Sequence, residues 1–201
     1  MNRHALIRRA LAVGLLGALA AGCQTYRRPI YSTNEPVIDD EQESEYNKRE
    51  EQLVEATKEQ PEEPSVWFAL GKFYEDSQRL REAVGAYEHL KTTTEAKYPG
   101  KTFTGPDYSL GKVYAQLGEY AAAVQHLRSV LASQPEELTQ ASLNRHFRES
   151  HLLLAAIYYD NAQWDPAEEH ALAYLDLGGE EVRGERLLMD IRYARDHAVR
   201  R

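Results

Sequence analysis

Apolar residues fall into three regimes along the chain. Over residues 10–21 they run almost unbroken, as Ala, Leu, Val and Gly, and end in small side chains. From Gln24 to about Asn47 no apolar period is sustained, and Pro29, Pro36 and a series of acids interrupt the chain. Beyond that, apolar positions recur every three or four residues, the spacing of amphipathic helices. Leu53 and Ala56 share one face of a segment over residues 46–59, which stops before Pro61. Past Gly178 and Gly179, the positions of Val182, Leu187, Leu188, Ile191 and Ala194 predict a final helix with a basic outer face.

Between these flanks one pattern occurs three times. Trp67, Leu70, Gly71 and Tyr74 are followed by Ala83 and Tyr87. Asp107, Leu110, Gly111 and Tyr114 are followed by Ala123, Leu127 and Pro135. His151, Leu154, Ala155 and Tyr158 are followed by Trp164, Ala167 and Ala171. Leu70, Gly71 and Tyr74 lie on one side of a helix, where the small residue lets a second helix come close. Ala83 and Ala123 allow the same approach from the other helix. Glycine inside a helix costs about 1 kcal/mol against alanine, so its appearance twice in register points to packing.

This pattern resembles the tetratricopeptide-repeat signature, W-x2-L-G-x2-Y, then A-x3-F, then P, carried by a helix–turn–helix unit of about 34 residues. The resemblance implies an all-α solenoid of about three repeats, near residues 64–98, 104–137 and 148–179. A half repeat before them and a capping helix over residues 180–199 complete the expected repeat domain at residues 46–201. The period is uneven, with 40 residues from Gly71 to Gly111 and 44 from Gly111 to Ala155. The extra residues are expected in an exposed loop at 92–105 and in an N-terminal extension of the next helix at 136–147.

Charge narrows the function. The chain carries a net −8, and loss of residues 1–22, with three arginines and no acids, would take it to −11. Twelve acids against three bases lie between Glu35 and Glu63. Nucleic-acid binding needs a basic face to neutralise phosphates, so this balance excludes it as a leading class. Cys23 is the sole cysteine, so no internal disulfide supports the fold.

Residues 1–22 have the layout of a secretory signal, with Arg3, Arg8 and Arg9 ahead of the apolar stretch. That stretch is shorter than the about 20 residues a membrane span needs. It ends in Leu19, Ala20, Ala21, Gly22 and Cys23, which resembles the bacterial lipobox, with Ala20 where leucine is preferred. The resemblance implies cleavage before Cys23 and a covalent lipid on it, the chain's one expected prosthetic group. Residues 23–45 are then a flexible, acidic tether. Gln24, in place of an aspartate that retains such proteins at the inner membrane, points to the outer membrane and the periplasm.

Catalytic chemistry has little to stand on. No phosphate-binding loop, zinc-protease helix motif, nucleophile elbow or paired-cysteine motif is present. His146 and Glu149 stand one turn apart and invite a metal, but His151 falls on another face; solvated side chains are the simpler reading. Ser109 and Lys112 spell a serine–lysine pair inside the second repeat's signature, which accounts for both. No catalytic residue and no metal site is expected.

What the repeat resemblance implies instead is a groove lined by fixed first-helix positions. These are Phe68, Lys72 and Glu75, then Tyr108, Lys112 and Ala115, then Leu152, Ala156 and Tyr159. Lys72 and Lys112 are equivalent, so a basic, aromatic-edged groove for an acidic segment or a terminal carboxylate is expected. The family's carboxylate clamp has asparagine where these lysines sit. The function implied is a membrane-anchored adaptor that recruits envelope or periplasmic proteins through an extended or helical segment. The alternative is an outer-membrane assembly factor, similar to pilotins or to the repeat subunit of an outer-membrane protein insertase.

Overall fold

In the computed structural model, residues 40–101, 103–133 and 140–198 are described, and among them lie eight helices and no strand. The signal segment, Cys23, most of the tether, and Pro135 lie outside the described residues. The helices are α1 (Asp40–Glu59), α2 (Pro64–Asp76), α3 (Leu80–Lys97), α4 (Thr104–Gln116), α5 (Tyr120–Ala132), α6 (Gln140–Asp160), α7 (Trp164–Asp176) and α8 (Glu181–Ala198). The all-α repeat architecture read from the signature is the one observed.

Helices α2 and α3, α4 and α5, and α6 and α7 pack as hairpins, and each hairpin packs on the next. The signature residues make those contacts. A Cβ on Gly71 would sit 2.5 Å from the Tyr87 ring, and one on Gly111 would sit 2.7 Å from Leu127 Cγ. In the third hairpin the equivalent residues are Ala155 and Ala171, both fully buried. Ala83, Ala123 and Ala167 have no exposed surface at all.

The signature tyrosines reach back to the preceding helix. Tyr74 donates to Glu50 on α1 at 3.2 Å, Tyr114 donates to Glu88 on α3 at 3.3 Å, and Arg128 on α5 donates to Tyr158 at 2.8 Å. Two buried clusters result. One centres on Leu70, Tyr87 and Leu110, the other on Leu127, Leu154 and Ile191, and Tyr114 packs against both.

Each first helix ends in the same turn. Arg79, Glu119 and Gln163 donate to the carbonyls of Tyr74, Tyr114 and Tyr158, and Gln78, Gly118 and Ala162 donate to Glu75, Ala115 and Tyr159. This is a Schellman motif, which puts its penultimate residue in the left-handed region. Gly118 takes φ 75 without strain, whereas Gln78 and Ala162 take φ 57 and 56 with a Cβ present.

Three expectations need correction. Helix α1 starts at Asp40 rather than near residue 46, because no proline or glycine lies between to stop it. The expected loop at 92–105 is mostly helix. Thr92, Thr93 and Thr94 turn their hydroxyls onto the carbonyls of Glu88, His89 and Leu90 and stay within α3. Finally, α8 does not present a simply basic outer face. Arg192 and Arg195 are drawn onto Glu168 of α7, while Val182, Met189 and Tyr193 are exposed.

Candidate functional site

The nine expected groove residues differ widely in exposure and in partners. Phe68 is 49% exposed, with its ring 6.4 Å from that of Tyr87. Lys72 pairs with Asp76 one turn along α2. Glu75 is buried; it accepts a hydrogen bond from the Tyr87 hydroxyl at 2.9 Å and pairs with Lys112 at 2.6 Å. Tyr108 is half-buried and stacks on His146 at 4.9 Å between centroids. Burial, with the negative charge of Glu149, pushes its hydroxyl pKa up to about 12.

Ala115 and Ala156 are half-buried, and Leu152 is in the core with 4% of its surface exposed. Tyr159 lies edge-on to Trp164 and contributes to the second cluster. The expectation of two free groove lysines is corrected: Lys72 pairs with Asp76 at an exposed site, and Lys112 pairs with the buried Glu75. Leu152 is corrected too, since a residue of the core cannot line a groove.

What does open on the surface is an apolar cleft of about 400 Å³ at the seam of the first two repeats. Phe68 from α2, Leu90 from α3, Tyr98 and Phe103 from the connection, Pro106 from α4 and His146 from α6 line it. Tyr98 and Phe103 pack together at 5.2 Å and wall one side. Two polar groups at the lining are already occupied: the Thr94 hydroxyl donates to the Leu90 carbonyl at 2.6 Å, and Thr104 Oγ1 lies 2.7 Å from His146 Nδ1. A guest in the cleft would gain mainly by removing apolar surface from water, at roughly 25 cal/mol per Å².

Of the cleft's residues, the signature positions name only Phe68. The others named come from α3, a six-residue connection, the start of α4 and a helix two elements further on, so their meeting depends on how far α3 continues. The aromatics Tyr98 and Phe103 within the inserted stretch were the available signal.

Polar contacts elsewhere are structural. Asp107 is held by Lys91 at 2.8 Å, His126 at 2.8 Å and Ser129 at 3.0 Å. Burial alone would raise its pKa, but these donors hold it down to about 2. His146 and His151 are half-buried and partnered, not solvated on an outer face as the sequence suggested; His151 Nδ1 lies 2.8 Å from His170 Nδ1. Among the described residues no three metal-ligating side chains come together. The Lys112 ammonium is committed to Glu75, as noted above.

A family model described as YpiA-like tetratricopeptide repeats matches residues 47–95, and the tetratricopeptide-repeat model matches residues 108–137. No curated protein matches the chain. The fold and these matches define the class: a helical solenoid that carries tetratricopeptide repeats, modules that bind other proteins. Such repeats typically serve as non-enzymatic scaffolds, and neither match indicates a catalytic family.

Proposed function

We propose that this chain is a lipid-anchored adaptor that holds an apolar segment of an envelope or periplasmic protein in the cleft around Phe68. The observation that carries the reading is an open, apolar cleft with a half-exposed phenylalanine at its mouth on a protein-binding repeat scaffold. Its lining has few free hydrogen-bonding groups, which favours aliphatic or aromatic side chains of an extended segment over a charged terminus. The lipobox-like residues at 19–23 support the anchor, and the acidic residues after them support a solvated spacer.

Partner capture from detergent-solubilised envelopes tests the cleft. Phe68→Ala should weaken capture by roughly five- to thirtyfold, the effect of losing 1–2 kcal/mol at an anchor. The thermal midpoint should hold, because Phe68 is not part of the core. Fractionation tests the anchor: Cys23→Ser should leave the membrane fraction or accumulate uncleaved. Unchanged capture by the Phe68 variant would place binding elsewhere, and a processed, membrane-bound Cys23 variant would remove the lipid.

A further inference from the structure

Helix α8 buries Gly184, Leu188 and Ile191 against the last repeat. Its opposite side carries Val182, Met189 and Tyr193, which are 74%, 69% and 67% exposed. With Arg186 they fall at intervals of four, three and four residues, a continuous stripe along the helix. Arg186 is exposed and has no ion-pair or hydrogen-bond partner among the described residues. Helices that seal a solenoid normally turn a polar face to water. This one leaves three large apolar side chains exposed among charged residues on its outer side.

The charges beside the stripe are of both signs and arranged about Met189. Glu185 and Arg186 precede it; Asp190 and Arg192 follow it. When a second α8 lies antiparallel with the two Met189 side chains meeting, a residue a few places before Met189 comes opposite one a few places after. Glu185 then faces the second copy's Arg192, which holds Glu168 in its own copy and has donors to spare. Arg186 comes within a turn of the second copy's Asp190 and of its Tyr193 ring. Each of these contacts occurs twice, as an isologous interface requires. An uneven charge pattern, acidic at one end and basic at the other, would equally suit an antiparallel copy, but one of a single sign would not.

From this placement we infer that α8 is a homodimerisation helix, and that the molecule docking on its Val182–Met189–Tyr193 face is a second copy of this chain. The inference is independent of the cleft and of the lipid anchor. A helix pair of this length buries less than the about 800 Å² per partner of a standard interface, so the dimer should be of micromolar order rather than nanomolar.

The test uses the full-length chain in detergent with Cys23→Ser, which removes the only native thiol. Met189→Cys in that background should form a covalent dimer under mild oxidation, since the residue meets itself across the two-fold axis. Leu172→Cys, also exposed at 42%, serves as the control and should not. In sedimentation, Met189→Asp should weaken self-association by about tenfold or more while helicity and melting temperature stay unchanged. Three results would overturn the proposal: a chain monomeric at concentrations on the order of 100 µM, equal cross-linking at residues 172 and 189, or a dimer that Met189→Asp leaves intact. The last would assign association to another segment. A monomer that loses capture of a different protein on Met189→Asp would give the face to that protein instead.

Discussion

At positions 67, 107 and 151, where the repeat signature asks for tryptophan, the chain has tryptophan, aspartate and histidine. Each finds a partner on the second helix of its own repeat: Trp67 stacks on His89 at 4.3 Å, Asp107 binds His126 and Ser129, and His151 meets His170. Departures from the signature were legible as departures, but their compensating partners were not, because those lie 19 to 22 residues away on another helix. The histidine pair has a pH consequence. Burial lowers the pKa of both residues, and for His170 the neighbouring His151 lowers it further, while Glu169 opposes the shift and Arg128 adds to it for His170. A folded pKa below the unfolded value means that the unfolded chain binds more protons, so stability rises with pH. The contribution is present above about pH 6.5, the unperturbed histidine value, and is lost as pH falls through the depressed folded values. Melting temperature should therefore drop as pH is lowered from about 7 to about 5. The drop should be smaller in His170→Gln, and an equal drop in that variant would assign it to other groups.

Among the helices and their turns, apolar spacing gave the number and order of elements in the repeats, and Gly71 and Gly111 gave their close contacts. Helix ends were less legible. Thr92 to Thr94 read as loop, yet their hydroxyls find backbone acceptors within the helix and cost it little. The Schellman turns were legible only at Gly118, since nothing in Gln78 or Ala162 announces a left-handed backbone. That backbone costs an L-residue roughly 1–2 kcal/mol, of which glycine's greater freedom in the unfolded chain offsets part. Ala162→Gly should accordingly stabilise the protein by about 0.5–1 kcal/mol, because Ala162 is exposed and holds a left-handed backbone. Chemical denaturation of the two proteins side by side measures it, and a less stable glycine variant would show that the turn carries no strain.

Across the whole molecule, net charge and the repeat pattern identified a protein-binding solenoid without locating its opening. The lysines at equivalent positions suggested a basic groove, but each has an acid beside it: Asp76 one turn along α2 for Lys72, and Glu75 of the preceding repeat for Lys112. The cleft and the α8 stripe both depend on which surfaces remain uncovered after packing, a property that residue spacing along the chain does not specify. The same packing divides the interior. Leu70, Tyr87 and Leu110 belong to one buried cluster, Leu127, Leu154 and Ile191 to another, and Tyr114 touches both. In a nearest-neighbour array, the junction between two buried clusters is where cooperativity is weakest. Amide hydrogen exchange should therefore sort the backbone into two opening units that part near α4, one ending with α3 and the other beginning with α5. Tyr114→Ala should widen the gap between their rates by uncoupling them. A single common opening rate from α2 to α8 would mean that α4, which gives side chains to both clusters, makes the whole array unfold as a piece.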